Sequence, residues 1–202
     1  MQANEQTQAW QGEFGTAYTE RNQVDWASRF PAFRSVFEGL PIASALEVGC
    51  NKGHNLMALD RVLPGLAIHG LDLNPHALDV ARERLPGGTF ALGGADALPF
   101  PDASMDLCFT VGMLIHIPPA CLDRCLEEIC RVSRRYVFCA EYFADKDTEI
   151  PYRGRANLLW KRDFLSHYQR ICPGLSLVRQ DFWGPAQAFD DVTCWLMEKP
   201  AC

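Results

Sequence analysis

The chain has 202 residues, a formal net charge of −6, 48% hydrophobic and 22% charged residues. That suits one α/β domain with a sizeable core, and the acidic balance argues against a partner gripped through phosphates, so nucleic acid is not expected. The N-terminal MQANEQTQAWQGEFG lacks the apolar run of a signal peptide, and no uncharged apolar stretch approaches the roughly 18 residues that span a bilayer. The expectation is a soluble cytoplasmic chain with no membrane partner.

Residues 1–40 are helical in tendency but interrupted at Gly12, Gly15 and Pro31, and read as an N-terminal helical cap on a domain spanning 41–202. IASALEVGC (42–50) is a short apolar run closed by Gly49, a buried strand. Leu56, Met57, Leu59, Val62 and Leu63 recur at helical spacing, and Pro64-Gly65 ends that helix. LAIHGLDL (66–73) is the second strand. Asn74 caps the next helix, with Pro75 at its first position and Leu78, Ala81 and Leu85 as its stripe. TFALGG (89–94) and MDLCFTVGMLI (105–115) are the third and fourth strands. A helix over 119–132, a fifth strand YVFCAEYF (136–143) and a helix over 158–170 follow. LSLVRQDFW (175–183) and DVTCWLMEK (191–199) close the chain as a pair of strands. Apolar strands alternating with amphipathic helices predict a Rossmann-like, doubly wound, mostly parallel seven-stranded sheet with an antiparallel C-terminal strand.

The nine cysteines lie mostly in apolar runs and are expected as reduced, buried thiols. Cys121 and Cys125 share a helix face, but no CxxC pair or recurring histidine accompanies them, so no metal site is expected.

In a sheet of this kind ligands bind beyond the carboxyl ends of the strands. The turn after the first strand, ALEVGCNKGHNL (45–56), fits neither the dinucleotide G-x-G-x-x-G nor a phosphate-binding G-K-[ST] loop. Its pattern is Glu47-x-Gly49-x-Asn51-x-Gly53, acidic and then small at alternate positions. Asn51 is tolerable there because asparagine adopts left-handed backbone angles more readily than other non-glycine residues. Asp72 ends the second strand, where an acidic side chain can accept both hydroxyls of a ribose. Gly94-Ala95-Asp96-Ala97 follows the third strand.

These features, in order on successive strand ends, resemble the class I S-adenosylmethionine-dependent methyltransferases. The resemblance implies S-adenosyl-L-methionine as cofactor and S-adenosyl-L-homocysteine as product. It implies that Glu47 faces the cofactor's positive charge, directly or through water, that Asp72 and Leu73 meet the ribose, and that Asp96 and Ala97 meet the adenine. Gly49, Asn51 and Gly53 would form the turn beneath the cofactor, and the fourth strand, with Thr110, would pass below it. Longer blocks, TQAWQGEFGTAYTERN (7–22), VGMLIHIPP (111–119), AEYFADKDTEIPYRG (140–154), WKRDF (160–164) and DDVTCWLMEK (190–199), resemble the pseudaminic acid biosynthesis-associated methylases. That narrower resemblance implies a nonulosonic acid sugar or its precursor as the methyl acceptor. The chain departs from the common pattern at Cys50-Asn51-Lys52.

Methyl transfer from a sulfonium needs alignment and dehydration, and a base only where the acceptor must lose a proton. The candidate base is His116, after the fourth strand; the competing reading is a histidine packed beside the prolines and bonded to a carbonyl. His54 reads mainly as a helix-start residue. Arg153, Arg155, Lys161 and Arg162 concentrate positive charge, and Tyr152 and Arg153 are candidates for holding an anionic acceptor. Lys161-Arg162-Asp163 reads as an ion-paired helix start. Tyr18 and Arg21, one helical turn apart, are candidates for the methionine end, against a reading in which Trp10, Phe14 and Tyr18 merely cap the core. The resulting expectation is a methyltransferase acting, as monomer or homodimer, on a small, anionic acceptor. O-methylation of another carboxylate or phosphonate, and a non-catalytic cofactor-binding module, stand as alternatives.

Overall fold

The computed structural model describes residues 5–154 and 156–200. Arg155, singled out above, and Cys202, one of the nine cysteines, lie outside the described residues, as do 1–4 and 201.

The segment expected as a cap comprises α1 (Glu5–Gln11), α2 (Glu13–Arg21), a 3-10 turn (Trp26–Arg29) and α3 (Phe30–Phe37). Gly12 separates α1 from α2, but two of the expected interruptions do not occur. Gly15 lies inside α2, buried where a Cβ would run into the Trp10 carbonyl. Pro31 sits in the first turn of α3, where its missing N–H costs nothing, and starts that helix rather than breaking it.

The rest alternates: β1 (Ser44–Val48), α4 (His54–Val62), β2 (Ala67–Asp72), α5 (Pro75–Arg84), β3 (Thr89–Leu92), β4 (Met105–Val111), α6 (Pro119–Val132) and β5 (Ser133–Glu141). Asn74 caps α5 by accepting the Ala77 N–H at 3.2 Å. β6 (Thr148–Glu149) and β7 (Trp160–Lys161) then pair as a separate two-stranded ribbon, before α7 (Phe164–Ile171), β8 (Ser176–Trp183) and β9 (Val192–Glu198). The helix expected over 158–170 therefore begins only at Phe164. Residues 160–161 are extended instead because Trp160 and Lys161 pair with Glu149 and Thr148, and Asp163 caps the helix by accepting the Ser166 N–H at 3.2 Å.

The main sheet has seven strands in the order β3-β2-β1-β4-β5-β9-β8. All neighbours are parallel except β9, which runs antiparallel to both β5 and β8. The doubly wound sheet with one reversed C-terminal strand is thus as expected. β5 explains why its strands read as continuous apolar runs. Tyr136, Phe138 and Ala140 pack into the core on one face, with Phe33, Phe37 and Trp183, while Val137 and Cys139 pack into the other, with Ile129, Phe164 and Trp195. A strand covered on both faces has no solvent side to make polar.

The expectation that all cysteines are reduced fails at one pair. Cys130, on α6, is bonded to Cys172, just past α7, because both helices cover the same face of the sheet and bring the two sulfurs together. Cys50, Cys108, Cys125, Cys139 and Cys194 are buried free thiols. Among the described residues no helix is long and apolar enough to cross a membrane.

Candidate active site

β1 turns into α4 through residues 49–53. Gly49, Asn51 and Gly53 have φ of 80°, 45° and 75°, so every second residue of the turn is left-handed. Gly49 and Cys50 both donate to the Leu71 carbonyl, at 2.7 and 3.0 Å, which ties the turn to β2. Asn51 donates its N–H to Asp72 Oδ2 at 2.8 Å, and the other oxygen of that carboxylate accepts the Asn74 N–H at 2.9 Å. Burial raises the Asp72 pKa and these backbone donors oppose it. The Asn51 side chain steadies its own strained backbone by accepting the Lys52 N–H at 2.9 Å. It also reaches the cap, donating to Thr19 Oγ1 at 3.1 Å. At Gly49 a Cβ would overlap the Met113 side chain, so the close approach of the two loops requires glycine.

Above this turn lies a cavity of about 730 Å³, at the carboxyl ends of β1, β2 and β4. It spans the boundary between β1 and β4 where the strand order reverses, and its size suits a small-molecule ligand. Of the residues singled out above, Gly49, Asn51, Asp72, Leu73 and Asp96 line it from the sheet, Tyr18 and Arg21 from the cap. His116, Tyr152 and Arg153 close the far side. The other four residues of that set do not line it. Gly53 caps α4 behind the turn and backs onto Leu85. Ala97 is exposed, and Ala95 takes the place at the wall. Thr110 is fully buried within β4.

Glu47 is the fourth. It is fully buried, in the layer behind the wall. Its Oε1 accepts from Asn55 Nδ2 at 2.7 Å, and Asn55 Oδ1 in turn accepts from Arg29 Nη1 at 2.7 Å. Oε2 has no hydrogen-bond partner among the described residues. Burial pushes the Glu47 pKa up to about 8, against the Asn55 bond and the Arg29 charge, which pull it down. Asn55 and Arg29 face the cavity in its stead. The Arg29 guanidinium lies 4.2 Å from the centre of the Phe189 ring and donates to the Ala188 carbonyl at 3.2 Å. Sequence reasoning missed Arg29. It stands in WASRF, outside any motif, and no spacing signals it.

The far end of the cavity is aromatic. The Trp10 ring lies 5.3 Å from Tyr18 and 4.8 Å from His116, whose ring is 5.2 Å from Tyr152. Burial pushes the Tyr18 hydroxyl up to about 12, so it stays protonated. His116 Nδ1 lies 2.6 Å from the Leu158 carbonyl. A carbonyl can only accept, so Nδ1 carries the proton and the lone pair of the neutral ring is on Nε2. Burial draws the His116 pKa down to about 4, against the pull of the Leu158 bond. Arg153 is exposed at the mouth with φ of 52°, followed by Gly154 at 75°. Asp190, which accepts from the Tyr142 hydroxyl at 2.9 Å, also lines the cavity and was not foreseen.

Two buried ionisable side chains hold the His116 turn in place. Glu141, at the end of β5, accepts the N–H groups of Met113, Leu114 and Ile115 at 3.2, 3.2 and 3.3 Å. Arg162, wholly buried, donates to the carbonyls of Leu114 and Ile117 at 3.2 and 2.9 Å and pairs with Asp147. Arg162 is therefore a clamp on the turn and does not line the cavity.

A family model described as "Methyltransferase domain" matches residues 45–135, from β1 into β5. Malonyl-[acyl-carrier protein] O-methyltransferase of Serratia marcescens is 37% identical over 46% of this chain and 35% of its own length. Fatty-acid O-methyltransferase of Mycolicibacterium smegmatis is 37% identical over 44% of this chain and 32% of its own. The chain thus spans about a third of the length of these relatives. The solved structure of Burkholderia thailandensis 1,6-didemethyltoxoflavin-N1-methyltransferase, with bound 1,6-didemethyltoxoflavin and S-adenosylhomocysteine, superposes with a TM-score of 0.75. It is 16% identical, and 98% of this chain and 91% of that one are covered. At that identity the likeness speaks for the fold alone: a Rossmann-like, doubly wound sheet.

Proposed function

We propose that the chain transfers a methyl group from S-adenosylmethionine to a carboxylate on a small acceptor. The observation that carries this is a single cavity holding both the strand-end set Gly49, Asn51, Asp72 and Asp96 and the acceptor candidates His116, Tyr152 and Arg153. The methyltransferase-domain match over the same strands supports it. An open cavity lined by converging polar groups favours an enzyme over a binding module, which would fill that space with apolar side chains.

The residues present fit the cofactor. Asp72 keeps acceptor capacity on both oxygens for ribose hydroxyls, and Asp96 stands at the next strand end for the adenine amine. Gly49 leaves room for close backbone approach. Arg29, a cavity-lining cation backed by Asn55 and Glu47, is the partner for the methionine carboxylate. When bound, the cofactor supplies a methyl group on a sulfonium whose departure needs no proton. What remains for the chain is to align the acceptor and exclude water, which the ring wall of Trp10, Tyr18, His116 and Tyr152 does.

A neutral His116 with its pKa near 4 is a weak base at neutral pH. That favours an acceptor already ionised, for which Arg153 and Arg21 give the mouth a positive side. Both relatives named above are O-methyltransferases, of malonyl-[acyl-carrier protein] and of fatty acids, compounds that bear a carboxyl group. The resemblance to the pseudaminic acid-associated methylases supports a sugar acid, which bears one too. A second reading, a hydroxyl acceptor with His116 as base, draws on the Nε2 lone pair.

The test has two arms. Calorimetry with S-adenosylmethionine and S-adenosylhomocysteine measures binding, and no binding of either ends the proposal. A screen of carboxylic acids, sugar acids included, is followed by mass spectrometry for a gain of one methyl. With a productive acceptor, His116→Asn, which keeps a donor for the Leu158 carbonyl and part of the ring wall but no basic nitrogen, should lower turnover only severalfold. A loss of about a hundredfold or more would instead favour the base reading.

A further inference from the structure

Behind the cofactor turn, separated from the large cavity by Thr19, is a second pocket of about 360 Å³. Its floor is Lys52, only 4% exposed. Arg84 and His76, both on α5, and Thr19, Glu20 and Gln23 of the cap segment form its walls. Among the described residues none of Lys52, Arg84 and His76 is ion-paired with an acid. Among the described residues Arg84 donates to the Lys52 carbonyl alone, at 3.4 Å. The one carboxylate in the wall, Glu20, is exposed. In a chain of net charge −6, two cations face one small pocket whose single carboxylate, the exposed Glu20, pairs with neither, and for the buried Lys52 that arrangement costs stability. Its effect is already visible at Lys52, whose pKa burial and the neighbouring Arg84 both lower.

We propose that this pocket binds a small phosphate-bearing anion, held by Lys52 and Arg84 between the cap and α5. One phosphate dianion neutralises both cations at once and accepts from an ammonium and a guanidinium together, which a single carboxylate does less completely. The site is distinct from the catalytic cavity but touches it. Thr19 belongs to both walls and accepts from Asn51 of the cofactor turn. An anion here joins α2 to α5 and so holds the cap down over the large cavity.

The inference does not depend on the proposed activity, and its test needs no cofactor. The full chain is melted in rising inorganic phosphate, and separately pyrophosphate, against sodium chloride of matched ionic strength. The expected result is a saturable rise in Tm beyond the chloride control. Arg84→Gln and Lys52→Gln should weaken the apparent affinity by at least about tenfold, and Glu20→Gln should strengthen it. The melting temperature of each variant in the chloride control checks that its fold is intact. Arg84 is exposed, so its variant reports even where the buried Lys52 change disturbs folding. A phosphate effect no larger than that of chloride, or an equal effect in wild type and Arg84→Gln, overturns the proposal.

Discussion

Glu47→Gln should make the protein more stable in mild alkali and nearly remove one component of its pH dependence. Glu47 is buried and its carboxyl is pushed from 4.5 up to about 8. Because the folded-state pKa is the higher one, the folded state holds a proton that the unfolded state has lost between those values. Stability from this group is therefore complete below about pH 4.5, declines as pH rises and levels off above about pH 8. Each pH unit across that window costs about 1.4 kcal/mol, so the full loss is on the order of 5 kcal/mol. That is a large share of a domain's roughly 5–15 kcal/mol. Glutamine keeps the oxygen that accepts from Asn55 Nδ2 at 2.7 Å and carries no titrating proton. Glu141, also buried and pushed up to about 7, adds a slope of the same sign in both proteins. The difference between wild type and variant therefore isolates Glu47. Urea unfolding at pH 5, 6, 7, 8 and 9 gives both curves. Wild type and Glu47→Gln running parallel over that range would refute the burial argument.

Two further outcomes follow from the cavity. Gly49→Ala forces a side chain into a left-handed position and into Met113, adding about 1–2 kcal/mol of backbone cost to about 1–3 kcal/mol of overpacking. Urea melts should show that loss, and an unchanged midpoint would mean the turn is not held as described. Arg29→Gln should raise the Kd for S-adenosylhomocysteine by about tenfold or more, the worth of a charged hydrogen bond. Calorimetry showing unchanged affinity would remove Arg29 from the methionine end.

Much of the architecture was legible because periodicity and punctuation report local physics. Asn74-Pro75 announced a helix start because the cap bond and the fixed proline φ act within one turn. The alternation of acid, glycine and asparagine in 47–53 announced a left-handed turn, and Gly49, Asn51 and Gly53 adopt it. The segment 158–170 was expected as one helix, but the helix begins only at Phe164, and Trp160 and Lys161 are extended. Those two are claimed by a distant strand partner, β6. Gly15 misled because a glycine's steric freedom reads as a break, whereas here it is the small residue that a packed helix interior needs.

The sequence by itself determined the doubly wound order of elements, the turn after β1 and the acidic ends of β1 and β2, since each depends on residues within a few positions of one another. Tertiary structure alone decided that Glu47 withdraws behind Asn55, that Arg29 takes the cavity wall, that Arg162 clamps the His116 turn and that Cys130 meets Cys172. It also decided that β9 inserts between β5 and β8. Apart from the Glu47–Asn55 bond, which spans 8 residues, each of these pairings joins segments far apart in the chain. Their outcome is set by which groups the closed core can keep dry and satisfied, a condition no local pattern of residues encodes.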